Sequence, residues 1–564
     1  MQENPIISES FADLLIEYAG EEAILNEFPN YPISIINRGL AVVHLPVENI
    51  TSNAIVEFGY YVFPSVLGLV SDGSIEASGI LRLRNIPNFN LRGQGVLIGI
   101  IDTGIDYTNP IFQYADRTTR IVSIWDQTIQ SDNPPEGLSY GTEFSREEIN
   151  LALQAEDPYT IVGSRDDNGH GTMVAGIAGG SEVVESNFSG VAPEAEFVVV
   201  KLKPAKRFIR DVFLIPEQAV CYQETDFLFA IEYILRAARL QQKPMALCVS
   251  VNTSQNAHDG RGITSTYLST IATRAGMGMV VAAGNEGNAR RHYFGVVNPT
   301  IGYDVVELNI GENVSGFSME LWGQSPSIFT IDIRTPSGEY VPRISAPRNE
   351  SREISFIFDP TIIYIDYILV ETRSGDQLIL FRFSNPSPGI WRFNVYERGN
   401  LNIGFNIWLP MEGLVADSVF FIRSDPYTTI LSLGNAQIPV TVTAYNSEDD
   451  SLYLNSSRGY TRTGLVKPNV AAPGVNVIGP TLEQGFTEFT GTCISAAHTT
   501  GIVAMLLEWS IVRGNLLGMS TIEINKLLMR GARRDVNLEY PNRDWGYGIL
   551  DIYNVFDNLR SGII

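Results

Sequence analysis

The 564-residue chain has few cysteines, few basic residues and no long apolar segment. Its three cysteines, Cys221, Cys248 and Cys493, are scattered and odd in number, which argues against a disulfide framework. Lys and Arg number 39 against 63 Asp and Glu, giving a formal net charge of −24. That charge disfavours nucleic acid and anionic membranes as partners, because both would repel the surface. It suits cationic partners or simple solubility.

Two further absences concern targeting. No apolar run approaches the roughly 20 residues of a membrane helix, so we expect no membrane span. The opening residues are polar and acidic, and therefore do not resemble a signal peptide. We expect a protein made in the cytoplasm and kept inside the cell or a structure that the cell builds. With 44% hydrophobic and 18% charged residues, the chain is typical of globular proteins, and its length favours two to four domains.

The first unit, residues 1–76, reads as a small α+β prodomain. Apolar residues at helical spacing predict a helix over residues 8–18. Residues 40–45 and 55–62 are predicted as strands. Residues 73–79 are rich in Gly and Ser and predict a linker.

Residues 77–296 and 424–564 show the alternation of a parallel sheet with helices on both faces. Cys248 lies in one of the apolar runs and is expected to be buried, whereas Cys221 is placed in a loop. The predicted strands cover residues 96–101, 197–202, 246–251, 279–283 and 440–444, and the predicted helices cover residues 224–239 and 495–512.

Residues 297–423 have a different pattern. Short aromatic and β-branched runs follow one another with turn residues between them, and no helical period is visible. These residues predict an inserted β-sandwich or jelly roll. Its predicted strands include residues 317–322, 328–333, 354–358, 378–383 and 403–408.

Four separated segments carry groups suited to nucleophilic catalysis. Asp102 ends a buried strand, His170 stands between glycines at a helix start, and Asn285 follows Gly284 at a strand end. Gly491 and Thr492 bring Cys493 to the amino end of a helix. An acid, an imidazole, an amide and a nucleophile in this order are typical of a triad with an oxyanion donor.

In this order and with these glycines, the chain resembles the subtilisin-like serine proteases, the subtilases. Secondary signatures of that family occur at residues 190–194, 456–459, 467–474 and 545–548. The resemblance implies that Asp102 orients His170, that His170 accepts a proton from residue 493, and that Asn285 stabilises the oxyanion. It also implies that Ser250, Val251, Asn252 and Gly284 bind an extended peptide substrate. No cofactor and no metal are implied.

The leading unit and the insertion, together with the stretches at residues 120–127 and 540–545, make the chain resemble the Csp germination proteases of clostridial spores. Active members of that group cleave the precursor of a cortex-lytic enzyme, and others are pseudoproteases that sense germinants. The resemblance implies retention in the spore, and as partners a protein substrate, another Csp-type protein or the chain's own prodomain. Autoprocessing would cut near residues 72–80.

Cys493 stands where the family carries its serine. Its sulfur is larger than oxygen, so we expect the oxyanion donors to be slightly misaligned and peptide turnover to be weak or absent. Ser495 turns about 200° away along the helix and is not expected to replace it. Three functions follow from the sequence: an endopeptidase of the germination group, a non-catalytic sensor or scaffold with this fold, and a true cysteine peptidase on a serine-protease frame.

Overall fold

The computed structural model describes residues 4–70, 90–344, 349–399, 401 and 403–560. The predicted linker at residues 73–79 lies outside the described residues. The described chain forms three parts: a leading unit (residues 4–70), an α/β core, and an inserted β-unit made of the strands between residues 292 and 421.

The leading unit carries a small antiparallel sheet in the order β1–β3–β2. A second helix and a separate strand, β4, follow this sheet before residue 70. Its elements are β1 (Phe11–Glu17), α1 (Glu22–Leu25), β2 (Ile33–Ile35), β3 (Leu40–Pro46), α2 (Ala54–Phe58) and β4 (Val66–Leu69).

Two predictions for this unit were wrong. Residues 11–17 of the predicted helix form strand β1 instead. This strand is buried on both faces, so its apolar residues do not alternate. Residues 55–62 form α2 and a 3₁₀ turn at Tyr60–Val62 rather than a strand.

The core confirms the predicted parallel sheet covered by helices. Its sheet runs in the order β25 (Ser451–Leu452), β24 (Val440–Asn446), β12 (Met277–Ala282), β10 (Met245–Val249), β5 (Leu97–Asp102), β8 (Glu196–Lys201), β6 (Ile121–Asp126) and β7 (Thr142–Ser145), with β26 (Val470–Pro473) beside β24. The first part of the core contains β5 (Leu97–Asp102), β6 (Ile121–Asp126), β7 (Thr142–Ser145), α3 (Arg146–Ala152), α4 (His170–Gly179), β8 (Glu196–Lys201), α5 (Arg207–Phe213), β9 (Cys221–Gln223), α6 (Glu224–Gln241), β10 (Met245–Val249), β11 (Val251–Asn252), α7 (Ile263–Ala272) and β12 (Met277–Ala282).

The chain returns to the core after the insertion. The long helix α8 packs against β10, β12 and α4, and ends in a π-helical turn at Glu508–Val512. By length and composition the stretch Thr492–Val512 could cross a membrane, but nearly all of it is buried in the protein. The elements are β24 (Val440–Asn446), β25 (Ser451–Leu452), β26 (Val470–Pro473), β27 (Val477–Pro480), β28 (Phe486–Phe489), α8 (Thr492–Leu507), α9 (Thr521–Gly531) and α10 (Ile552–Arg560).

The inserted β-unit consists of two antiparallel sheets around their own apolar core. One sheet has the order β13–β22–β15–β20–β19–β18 and the other β17–β16–β21–β14–β23. The first sheet begins at His292, slightly before the predicted boundary at residue 297. The strands are β13 (His292–Gly295), β14 (Asp304–Ile310), β15 (Gly316–Gly323), β16 (Ile328–Arg334), β17 (Tyr340–Ile344), β18 (Glu350–Ser355), β19 (Ile362–Ile368), β20 (Gln377–Ser384), β21 (Gly389–Arg398), β22 (Phe405–Trp408) and β23 (Phe420–Phe421).

Candidate active site

Asp102 is the last residue of the central strand β5, and its carboxylate is fully buried. The two oxygens of Asp102 lie 2.8 and 2.9 Å from Nδ1 of His170. The main-chain N–H of Thr103 donates to Oδ1 over 2.7 Å, and the hydroxyl of Ser250 donates to Oδ2 over 2.5 Å. Burial alone would raise the pKa of Asp102, but His170 and these donors hold it below its ordinary value. The carboxylate is therefore ionised and fixed in place.

His170 is the first residue of α4, and the glycines around it are required by the packing. Gly169 has a left-handed backbone with φ of 92°. A Cβ on Gly171 would lie 2.2 Å from the carbonyl oxygen of Gly104. The helix can therefore approach the end of β5 closely enough for the imidazole to reach Asp102 only because glycine occupies position 171.

The other ring nitrogen of His170 faces the leading unit. Nε2 lies 2.8 Å from the carbonyl oxygen of Val70, which can only accept a hydrogen bond. Since Nδ1 faces a carboxylate and Nε2 faces a carbonyl, both nitrogens carry protons in this arrangement. Burial would lower the pKa of His170, but the charges of Asp102 and Cys493 raise it well above its usual value. The ring is therefore held as an imidazolium.

Cys493 is the second residue of α8 and is fully buried beside His170. A side-chain hydrogen bond joins its sulfur to His170. The positive end of the helix dipole favours a thiolate at this position. Ser495 binds the carbonyl oxygens of Ala472 and Pro473 instead, at 3.0 and 3.1 Å. The structure thus brings Asp102, His170 and Cys493 together and leaves Ser495 outside the group.

Asn285 is oriented by the residue before Cys493. The main-chain N–H and the hydroxyl of Thr492 each donate to Oδ1 of Asn285 over 3.1 Å. The hydroxyl of Thr492 also accepts the N–H of Gly284 over 3.0 Å. Because Oδ1 is engaged in this way, the group that Asn285 can offer to a developing oxyanion is the donor Nδ2. Asn285 and Val70 line the same cavity of about 200 Å³.

The chain's own strand β4 lies where the resemblance places a peptide substrate. It pairs antiparallel with β11, with Leu69 opposite Val251 and Gly68 opposite Asn252. On its other edge it pairs with β9, with Gly68 opposite Cys221. Cys221 is therefore in a strand that borders the site, and its predicted placement in a loop was wrong.

The predicted substrate-binding residues do not all act in one way. Val251 and Asn252 pair with β4 through their main chains. The side chain of Asn252 turns to the core, where Nδ2 donates to the carbonyl oxygen of Ala282 over 3.0 Å. Ser250 binds Asp102 through its hydroxyl. Gly284 has a φ of 107°, and a Cβ there would lie 2.5 Å from Leu431, so its role is conformational.

Sequence reasoning missed Val70, strand β9 and the loop at residues 409–414, which also borders the cavity. These parts come from three separate regions of the chain, so no local motif joins them. The apolar run from Val66 to Val70 was the available sign of strand β4. It lies directly before the Gly- and Ser-rich stretch that was predicted to link the units. Within the described ranges, no three His, Cys, Asp or Glu side chains converge in a way that could hold a metal ion.

Comparisons with known proteins agree with this geometry. The family model described as the subtilase family (peptidase S8) matches residues 93–318 and 425–548. The PII-type proteinase of Lacticaseibacillus paracasei is 22% identical over 539 residues, covering 84% of this chain and 26% of that protein. The C5a peptidase of Streptococcus pyogenes serotype M18 is 22% identical over 504 residues, covering 82% of this chain and 40% of that protein.

A solved structure matches over more of its own length. The Clostridium perfringens CspB protease superposes with a TM-score of 0.77 and 28% identity, covering 86% of this chain and 97% of that one. The chain spans 26% and 40% of the two curated relatives, so it matches only part of each. It matches CspB over nearly the whole of that chain.

Proposed function

Because this chain belongs to the subtilase family, we propose that it is a Csp-type peptidase that cleaves extended peptides with Cys493 as the nucleophile. Its first substrate is its own chain, cut after Val70, and the leading unit is the prodomain. The observation that carries this proposal is the position of β4 between β11 and β9, with the Val70 carbonyl 2.8 Å from Nε2 of His170. The predicted cut at residues 72–80 lies outside the described residues, and this geometry favours the bond that follows Val70.

The residues present can supply each step of acyl transfer. For reaction, the carbonyl oxygen of Val70 turns from Nε2 of His170 toward Nδ2 of Asn285 and the N–H of residue 493. The thiolate of Cys493 then attacks the carbonyl carbon, and these two donors stabilise the negative oxygen that forms. The imidazolium of His170 then gives its Nε2 proton to the departing amine, which leaves a thioester on Cys493. Water, deprotonated by the now neutral imidazole, hydrolyses that thioester. Asp102 stays ionised throughout and stabilises the imidazolium.

The cysteine makes this reaction slow. A thiolate is a better leaving group than an amine, so the tetrahedral intermediate tends to return to the intact peptide. The larger sulfur also shifts the reacting carbonyl relative to donors that tolerate an error of about 0.5 Å. We therefore expect Cys493→Ser to raise the rate of autoprocessing.

The likeness to CspB supports a role in spore germination. We propose that the protein is retained in the spore and that its partners are a cortex-lytic enzyme precursor or another Csp-type protein. The cysteine also supports a second candidate function, that of a pseudoprotease which binds a germinant or an active protease. In the described structure the imidazole is occupied by Val70, and such a blocked site suits a non-catalytic role.

Mass spectrometry of the recombinant 62.2 kDa chain distinguishes these functions. The peptidase is expected to yield a fragment ending at Val70, slowly with Cys493, faster with Cys493→Ser, and not at all with Cys493→Ala or His170→Ala. A native chain that stays whole while Cys493→Ser splits would establish the pseudoprotease. If neither the native chain nor Cys493→Ser splits, the proposed peptidase function is wrong.

A further inference from the structure

We propose that the loop at residues 409–414, which follows β22 of the inserted β-unit, makes the site select glycine or alanine at the position occupied by Gly68. This position lies two residues before the residue whose carbonyl meets His170. The inference deepens the proposed function, because it names the class of peptide that the same site accepts. It assigns to the insertion a direct part in substrate selection.

Gly68 is packed against two side chains of the loop. A Cβ on Gly68 would lie 3.3 Å from Sδ of Met411, 3.4 Å from its Cε, and 3.5 Å from Cγ of Leu414. Both side chains are buried, with 2% exposure each. A methyl group fits after a small shift of Met411, and we expect a larger side chain to displace Met411 or Leu414 further.

The loop cannot easily move away from the strand. The carbonyl oxygen of Leu409 accepts the hydroxyl of Ser254 over 2.7 Å, and the N–H of Leu409 donates to the carbonyl of Arg291 over 2.9 Å. Further along, the N–H of Glu412 donates to Oε1 of Glu286 over 2.9 Å. Glu286 is itself paired with Arg291 at 3.1 Å, so the insertion is anchored beside the oxyanion donor.

The strand cannot retreat either. Gly68 is paired on one edge with Asn252 of β11 and on the other with Cys221 of β9. Its neighbours Val66 and Leu67 are fully buried, and Val70 is 2% exposed. The peptide class that fits is therefore an extended segment with apolar residues at the positions of Val66, Leu67 and Val70, and a residue no larger than alanine at that of Gly68.

Protection of Cys493 in the native chain tests the fit without requiring turnover. Cys493 is buried beside His170, which is bonded to Val70 while β4 occupies the site. Gly68→Val is expected to raise the rate of Cys493 alkylation by iodoacetamide by about tenfold or more, because overpacking weakens docking of the strand. Gly68→Ala should change the rate little. Peptide mass mapping reads Cys493 separately from Cys248, whose labelling would report loss of the core.

Two matched variants decide the cause. Gly39→Val changes a glycine in the same unit, where the nearest atom to an added Cβ is 3.7 Å away, and should leave Cys493 protected. Met411→Ala in the Gly68→Val chain should restore protection, because it removes the side chain nearest to the new atoms. Failure of Met411→Ala to restore protection would overturn the inference, and so would unchanged labelling in Gly68→Val.

Autoprocessing of the Cys493→Ser chain separates this inference from the proposed function. Suppose that the Cys493→Ser chain splits, that Gly68→Val slows the splitting about tenfold, and that adding Met411→Ala restores the rate. The peptidase function and the selectivity at the Gly68 position are then both supported. Equal rates of splitting with and without Gly68→Val would leave the peptidase intact and remove the selectivity. A chain that never splits, yet shows the expected pattern of Cys493 labelling, would remove the peptidase and leave the selectivity of the strand site.

Discussion

Val70 decides which protonation state His170 can hold. While the carbonyl of Val70 lies on Nε2 and the carboxylate of Asp102 on Nδ1, the ring carries two protons and cannot act as a base. It can still stabilise a thiolate on Cys493, because the charges of Asp102 and Cys493 raise its pKa well above the usual value despite burial. The imidazolium should therefore persist above the ordinary histidine range, and with it the thiolate.

This pairing predicts the pH dependence of Cys493 alkylation. In the native chain we expect the midpoint of the rate profile to lie well below the reference thiol pKa of about 8.5. His170→Ala should move the midpoint toward that reference value or above it. The midpoint is the informative quantity, because loss of the bond to Val70 changes access to the sulfur equally at every pH. Identical midpoints in the two proteins would exclude a coupled pair.

The hydroxyl of Ser250 acts as a positioning group rather than a substrate contact. Ser250→Ala removes a buried hydrogen bond to a charged carboxylate, which is worth about 1.5–3 kcal/mol. We expect autoprocessing of the Cys493→Ser chain to slow by about tenfold or more. Protection of Cys493 in the native background should not change, since β11 holds the strand through its main chain. Mass spectrometry over time measures the rate of autoprocessing, and peptide mapping measures the alkylation of Cys493.

Ser265→Ala is the matched control for this prediction. Its hydroxyl donates to the carbonyl oxygen of Ser432 over 2.9 Å and is also buried, but its partner is not a residue of the triad. Ser265→Ala should lower stability without changing the rate of autoprocessing. If both variants slow the reaction equally, the effect of Ser250 is structural rather than positional.

At the scale of elements, the sequence predicted strands correctly where a pattern fitted only one type of secondary structure. Buried runs of β-branched residues predicted β5, β8, β10 and β12, and the aromatic runs predicted strands of the insertion. Residues 8–18 were wrongly predicted as a helix because the spacing of Phe11, Leu14, Leu15 and Tyr18 also fits a helix. The strand at residues 11–17 is buried on both faces, so its apolar residues do not alternate with polar ones. Strand β9 was missed because it is defined by pairing with β4, a contact between distant parts of the chain.

One junction joins all three parts of the molecule through Glu320 of β15. Its carboxylate accepts the hydroxyl of Tyr60 over 2.5 Å, the N–H of Asn256 over 3.0 Å and Nε1 of Trp322 over 3.0 Å. These donors favour the ionised form, but burial dominates and raises the pKa of Glu320 to about 7. The leading unit, the core and the insertion therefore meet at a carboxyl group that is costly to ionise.

The junction predicts a loss of stability as the pH rises. Between the unfolded pKa of about 4.3 and the folded value, the folded chain holds a proton that the unfolded chain has released. From about pH 5 to about pH 8, Glu320 should therefore lower the free energy of unfolding by about 2.5 kcal/mol. Glu320→Gln should flatten this part of the profile, measured by urea unfolding at several pH values. Glu350→Gln, at a half-exposed site of the same unit, should leave the slope unchanged.

For the whole molecule, the leading unit is held by more than the strand in the site. Asp13 of β1 is buried at the interface, where its carboxylate accepts Nζ of Lys206 over 2.7 Å and Nε2 of Gln223 over 2.8 Å. Within its own unit it lies 2.7 Å from Nδ1 of His44. Burial raises the pKa of Asp13, but His44 and Lys206 together lower it by more than burial raises it. The net shift of the pKa is therefore downward.

These contacts predict that cleavage after Val70 does not release the leading unit. The two fragments of the Cys493→Ser chain should co-elute in gel filtration at neutral pH. Asp13→Ala leaves the buried ammonium of Lys206 without its carboxylate, at a cost of about 3–5 kcal/mol, so the fragments should separate on dilution. Because the pKa of Asp13 is lowered, its contribution is present at neutral pH and fades as the pH falls through the folded value, below about 4. Below about pH 4, the leading unit should therefore also separate from the rest of the cleaved Cys493→Ser chain when Asp13 is present.

The control must remove a carboxylate that is not at this interface. Asp557 pairs with Arg560 at 3.0 Å on an exposed face of α10, and exposed pairs contribute little to stability. Asp557→Ala fragments should co-elute over the whole dilution series, as the unsubstituted fragments do. If Asp13→Ala fragments also stay together, the strand in the site is sufficient to retain the leading unit, and the buried ion pair serves the folding of the leading unit rather than its retention.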